Sequence, residues 1–214
     1  MSISENRARL LNDIETVHPS AKLIAVSKRQ PEERIEEALA SAQRIFGENR
    51  VQEAVTRWQE RKKNYPDLEL HLIGPLQTNK VKEAVALFDV IQVVDREKLA
   101  IALSKEMALQ KRFLPCLIQV NTGEEEQKSG VFPAQLTDFL GFCQKTCQLN
   151  IQGLMCIPPA DEPPALHFAL LKKLAEENGL KDLSMGMSGD YIDALKLGAS
   201  MVRVGTTFFG ERDL

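Results

Sequence analysis

The chain has no apolar stretch close to the roughly 20 residues that a bilayer-spanning helix requires. Its first residues, MSISENRARLLNDIE, hold no continuous apolar segment, so no secretory leader is expected and the cytoplasm is the default compartment. Lysine and arginine number 27 against 30 aspartates and glutamates, a formal net charge of −3, and the cations form no cluster. That excludes the electrostatic footprint of a nucleic-acid binder. Cysteine is sparse, limited to Cys116, Cys143, Cys147 and Cys156. Cys143 and Cys147 are one helical turn apart, yet no histidine or further cysteine stands at a zinc-type spacing beside them, and no metal is assigned. The thiols read instead as half-buried residues of a reduced compartment. No G-x-G-x-x-G follows the first apolar run, and no linker or low-complexity tract divides the chain.

What is present is an ordinary globular composition, 214 residues with 43% hydrophobic and 27% charged. That length suits one barrel-sized domain. Ser2-Ile3-Ser4-Glu5 fits a capping box, and Leu10, Leu11, Ile14 and Val17 then share a helical face, so an N-terminal helix is predicted over 2–17, ended by Pro19. Leu23 to Ser27 is too short for a helix and too apolar for a half-exposed strand, which is the pattern of a parallel strand covered on both faces. Pro31, Glu32 and Glu33 then open a helix. The alternation repeats with strands predicted at 44–46, 70–73, 90–94, 114–120, 151–155, up to Met185, and 201–204. Helices are expected between them, among them 50–63, 80–87, 96–110 and 190–197. About eight such units without a dinucleotide fingerprint predict an α/β protein, a single (β/α)8 TIM barrel spanning 1–214. The helix before the first strand would cap the barrel or its side.

The richest stretch is Leu183 to Arg212. Gly186-Met187-Ser188-Gly189 and Gly205-Thr206-Thr207 each lie between a strand end and a helix start. Such loops turn backbone N–H groups toward one point, and in a barrel the last two of them are the usual phosphate site. A lone Gly-Ser turn is more often a helix cap; two in tandem favour phosphate. Asp190 stands where a nucleophile elbow needs its last glycine, so that motif is rejected.

Barrel chemistry sits at the C-terminal strand ends. Lys28 ends the first strand on the face of Ile24 and Val26, and a lysine rising from an apolar wall suits condensation with an aldehyde. Lys80 and Lys128 also lie on top-side loops, so position alone does not single out Lys28. Asn49 follows the second strand. His71 reads as a hydrogen-bonded core residue or a site-lining one, and Met155 as filler or a platform for a planar ligand. Arg203, inside the last strand, is expensive there unless it meets a partner or ligand. A lysine for an imine, a phosphate cup and an interior arginine together suit pyridoxal 5′-phosphate, and a Schiff-base aldolase of sugar phosphates would use the same parts.

The ordered motifs Ala25-Val26-Ser27-Lys28, Phe46-Gly47-Glu48-Asn49-Arg50, His71 to Lys80 (HLIGPLQTNK), Gly153-Leu154-Met155, Met187-Ser188-Gly189-Asp190, Val202 to Gly205 and Phe209-Gly210-Glu211-Arg212 resemble the pyridoxal phosphate homeostasis protein family over almost the whole chain. The resemblance implies a fold-type III PLP-binding barrel similar to the N-terminal domain of alanine racemase. It further implies that Lys28 carries the internal aldimine and that Ser188, Gly189, Gly205 and Thr206 hold the phosphate. Arg203 would face the pyridine nitrogen, with Asn49 and Met155 beside the cofactor. One loop departs from the family pattern, since Asn121-Thr122-Gly123 lacks the serine many members carry. The implied role is intracellular PLP (vitamin B6) homeostasis and amino-acid balance by a monomer, without turnover. PLP and PLP-dependent apo-enzymes are the partners, with no nucleic acid and no membrane. The alternative is a racemase-like PLP enzyme. Racemisation needs a second base, which alanine racemase supplies as a tyrosine from a further domain and a partner subunit. This sequence stops soon after the last strand, and neither Tyr65 nor Tyr191 is placed as such a base.

Overall fold

Eight apolar runs, each too short to satisfy its own backbone as a helix, can hide their polar groups only by pairing with one another. In the computed structural model, which describes residues 2–211, they do so in chain order. The strands are β1 (Lys22–Val26), β2 (Ile45–Glu48), β3 (Glu69–Leu72), β4 (Val90–Val94), β5 (Pro115–Val120), β6 (Asn150–Cys156), β7 (Asp182–Ser184) and β8 (Met201–Val204). All pairings are parallel, and β1 closes the sheet on β8, with Ile24 opposite Arg203. The result is a (β/α)8 barrel.

Helix α1 (Ile3–Val17) begins at Ser2, whose hydroxyl and the Glu5 carboxylate complete the capping box. It packs on the barrel's side, against α2 (Glu32–Ala40), α9 (Tyr191–Lys196) and α10 (Thr206–Phe209). The remaining helices are α3 (Val51–Trp58), α4 (Arg61–Asn64), α5 (Val81–Leu87), α6 (Glu97–Gln110), α7 (Leu136–Gly141, continued by one π turn) and α8 (Pro164–Glu177). Among the described residues no helix is long and apolar enough to cross a membrane.

Two elements depart most from the sequence reading, each for a physical reason. The second strand runs through Gly47 and Glu48 rather than ending at Phe46. Gly47 belongs there because a Cβ would sit 2.8 Å from Ile73 Cδ1 and 2.9 Å from Ile24 Cγ2, so the glycine answers to packing and not to a turn. Glu48 is fully buried, and its charge had masked the strand pattern. The helix expected over 50–63 divides into α3 and α4, and the Arg61 side chain donates to the Arg57 carbonyl at 2.7 Å near the break. Arg212, the last residue of the FGER motif, lies outside the described residues.

Apolar side chains such as Leu70, Leu72, Ile91 and Val93 are buried on the strands. The two-residue alternation leaves His71 and Gln92 on the opposite face from these neighbours, where they meet Ser184, Met201 and Arg203 across the barrel. The barrel interior therefore carries a polar column inside an otherwise apolar core.

Candidate functional site

At the C-terminal mouth of the barrel lies a cleft of about 310 Å³, within the range of small-ligand pockets. Lys28 and Val26 line one wall, Ser188, Gly189, Gly205 and Thr206 another, and Arg203 and Asn49 complete the polar lining. Ile73, Ile157 and Met187 supply apolar surface.

Lys28 follows β1 on a turn that is held from several directions. Ser27 donates from its amide to the Gly47 carbonyl at 3.1 Å and from its hydroxyl to Glu48 Oε1 at 2.7 Å. Arg57 donates to the carbonyls of Ser27 and Gln30 at 2.7 and 2.8 Å. The Arg29 amide donates to Glu53 at 2.8 Å, and Arg29 itself takes the left-handed conformation with φ 57°. Burial works against the Arg57 charge, but Glu48 and Glu32 outweigh it and raise the guanidinium above its ordinary pKa. A lysine on a flexible stem thus starts from a backbone with little freedom.

The two glycine-bearing loops are tied together. Thr207 donates its amide to Ser188 Oγ at 3.2 Å and its hydroxyl to the Ser188 carbonyl at 3.3 Å. The amides of Ser188, Gly189, Gly205 and Thr206 find no acceptor among the described residues, and all four residues line the cleft. A Cβ built on Gly189 would meet no atom within 4 Å, so no neighbour demands glycine there. Four open donors around one hollow make an anion cup. Since α9 has six residues and α10 four, the donors themselves, rather than long helix dipoles, must supply the attraction.

Arg203 is 3% exposed, and no carboxylate of the described residues pairs with it. One Nη donates to Ser184 Oγ at 2.7 Å and the other to the Cys156 carbonyl at 2.8 Å. Burial lowers its pKa, with Cys156 and Asp190 working the other way. A buried cation lacking a counter-ion costs free energy unless a ligand compensates it. Asn49 Oδ1 is likewise buried without a partner among the described residues. Its position is set by Gly74, where a Cβ would fall 2.4 Å from the Asn49 carbonyl oxygen.

Seven of the eight residues anticipated from the sequence thus meet at one cleft. Met155 is fully buried and absent from the lining, and Ile157, two residues on and 40% exposed, occupies that wall instead. Lys128 pairs with Glu125 at 2.5 Å and Lys80 with Glu83 at 3.6 Å, both outside this lining. Asn121 staples its own loop through Glu125 at 2.8 Å and contributes nothing to the cleft. Tyr191 donates to Asp13 at 2.7 Å, and burial followed by Asp13 pushes its pKa up to about 12. Tyr65 stacks under Arg44 at 5.0 Å. Sequence reasoning missed Ser184 and Gln92, although a serine or glutamine inside an apolar strand is a readable signal.

A larger hollow of about 500 Å³ opens at the opposite mouth, but its charged groups are engaged with protein partners, Lys22 with Glu69 at 3.0 Å and Asp89 with Lys62 at 2.5 Å. Size alone does not make it the site.

The alanine racemase N-terminal domain profile matches residues 3–213. The pyridoxal phosphate homeostasis protein of Vibrio cholerae is 40% identical over 229 residues, covering 99% of this chain and 97% of that one. Its counterpart in Pasteurella multocida is 39% identical, covering 100% and 99%. Among solved structures, PipY of Synechococcus elongatus superposes with a TM-score of 0.89 without PLP (39% identity, 97% of this chain, 100% of that one). With PLP bound it gives 0.85 (38% identity, the same coverage). Alanine racemase of Clostridium difficile, 16% identical with a TM-score of 0.75 over 57% of its length, shares the fold.

Proposed function

The chain belongs to the pyridoxal phosphate homeostasis proteins, a family built on the alanine racemase N-terminal domain, and from that premise we propose that it binds pyridoxal 5′-phosphate and serves its intracellular homeostasis. The observation that carries this reading is the convergence on one cleft of four uncommitted amides, a buried unpaired arginine and a clamped lysine. Such a lining fits an anionic group at one end and a hydrogen-bond acceptor near Arg203. When bound, the cofactor supplies an aldehyde open to a lysine amine and a ring nitrogen that accepts a hydrogen bond.

The residues divide the work accordingly. Lys28 offers the amine. Ser188, Gly189, Gly205 and Thr206 donate to the phosphate, and the Ser188 hydroxyl keeps its own hydrogen free while its oxygen serves Thr207. Arg203 donates toward the ring nitrogen and, being unable to accept, keeps that nitrogen unprotonated. Asn49 closes the side of the cleft.

The protein acts as a cytoplasmic monomer, one barrel over residues 1–214, that holds and releases PLP toward PLP-dependent apo-enzymes without turning over amino acids. Both tyrosines being engaged away from the cleft supports this. The purified protein should show a visible absorption band that borohydride abolishes, and a colourless protein that takes up no added PLP would refute the reading. Incubating the loaded protein with L-alanine in deuterated water tests the absence of catalysis. Inversion at on the order of 1 s⁻¹ would make it an enzyme.

A further inference from the structure

Behind Arg203, away from the cleft, a chain of hydrogen bonds crosses the whole barrel. Arg203 Nη1 donates to Ser184 Oγ at 2.7 Å, and the Ser184 hydroxyl donates to Gln92 Oε1 at 2.5 Å. Gln92 Nε2 stands 2.7 Å from His71 Nδ1, and His71 Nε2 stands 2.7 Å from Glu69 Oε1. Ser184, Gln92, His71 and Arg203 are all at most 3% exposed, while Glu69 reaches the opposite mouth beside Lys22.

The two ends dictate the middle. A guanidinium only donates, so Ser184 Oγ accepts there and its single hydrogen goes on to Gln92. The Gln92 carbonyl is then used, and its amide nitrogen faces His71, whose Nδ1 must accept. A carboxylate only accepts, so His71 Nε2 carries the ring's one hydrogen. All four bonds point from cation to anion, and the Glu69 oxygen that ends the chain also accepts from Lys22 at 3.0 Å. The second Gln92 amide hydrogen rests on Met201 Sδ at 3.5 Å.

We propose that Ser184, Gln92, His71 and Glu69 form a one-directional relay of positioning residues that orients Arg203 toward the cleft and locks His71 as the neutral Nε2–H tautomer. The relay ties the otherwise unpaired guanidinium to a carboxylate on the far side of the barrel. Ser184 from the relay and the Cys156 carbonyl from outside it hold two edges of that guanidinium, and the rest of the group lines the cleft. The role given to Arg203 rests on the reading of the cleft as a PLP site; the tautomer of His71 does not.

Two measurements separate these. In cofactor-free protein labelled with ¹⁵N-histidine, with His71→Asn used to assign the signal among the three histidines, the ring near neutral pH should carry its proton on Nε2 and present a bare Nδ1. A proton on Nδ1, alone or together with Nε2, overturns the relay. In the PLP-loaded protein, Ser184→Ala and Gln92→Leu should move the pH profile of the visible band in the same direction. The expected size is on the order of one pH unit, the equivalent of one hydrogen bond to a charged group. Met201→Leu, which touches Gln92 without being a link, should leave the profile in place. Profiles of the two relay variants that superimpose on wild type overturn the positioning role. If Gln92→Leu does not fold, Ser184→Ala decides. If wild-type protein takes up no PLP, the reading of the cleft falls, and the relay stands or falls on the nitrogen spectrum.

Discussion

Glu48 and Arg57 meet at 2.9 Å in the interior, one at the end of β2 and the other on α3, with the Glu48 side chain wholly excluded from water. The same carboxylate oxygen accepts from Ser27 at 2.7 Å and from the Trp58 indole at 2.9 Å. The pair is the hub of the turn that carries Lys28, since Arg57 also binds the carbonyls on either side of that residue. The glutamate of the FGENR motif is therefore a support for the site rather than a member of it.

Removing one partner should be costly. Arg57→Met leaves the Glu48 carboxylate buried without its counter-charge, held only by Ser27 and Trp58, and a loss of roughly 3–5 kcal/mol is expected. Denaturant unfolding measures it. A change below about 1 kcal/mol would mean that the hub contributes little.

Lys28 should be the sole attachment point of PLP. Borohydride reduction and peptide mapping should place the pyridoxyl group there, and recovery on Lys80 or Lys128 would move the site. Because the anion cup is separate from the amine, Lys28→Ala should still take up PLP, more weakly and without a reducible bond.

The cup should respond to the phosphate alone. Ser188→Ala removes one hydrogen bond to a charged group, roughly 1.5–3 kcal/mol, so PLP binding should weaken while pyridoxal binding hardly changes. Equal weakening of both ligands would make the loop a structural one.

Two glycines should behave oppositely. Gly189→Ala meets no protein atom, so the melting temperature should stay within about 2 °C of wild type while PLP affinity falls on the order of tenfold. Gly74→Ala drives a methyl into the Asn49 backbone and should destabilise the fold by about 1–3 kcal/mol. Thermal melts beside PLP titrations separate the two.

Glu69 should govern acid stability. Its hydrogen bond from His71, opposed by burial and aided by Lys22, lowers its pKa from 4.5 to about 2. A carboxylate depressed in the folded state stabilises the protein above its unfolded value, and that contribution fades as pH falls from about 4.5 through about 2. The stability advantage of wild type over Glu69→Gln should shrink across that window. A difference that does not change with pH would remove Glu69 from this role.

The alternation of short apolar runs with helical segments was enough to determine a parallel sheet covered by helices, because a run such as VIQVV must pair to hide its backbone, and the count of eight units without a dinucleotide fingerprint pointed to its closure. The two glycine-bearing loops near the end of the chain, the lysine after β1 and the arginine in β8 were legible too, since their residue types are unusual at strand ends and interiors. Strand edges were less so: Gly47 and Glu48 looked like a turn, and only the packing of Ile24 and Ile73 and the buried Arg57 explain why the strand continues through them. Met155 and Ile157 could not be told apart by position, because which one reaches the cleft depends on how β6 passes into its loop. The polar column was out of reach altogether. His71 and Arg203 each looked like one odd residue in an apolar strand, Gln92 and Ser184 drew no notice, and the four are spread over more than half the chain. Closing the sheet turned them onto a common interior face, and in that dry space a polar group must find a partner or pay the cost of its desolvation. That requirement aligned them, and local sequence holds no record of it.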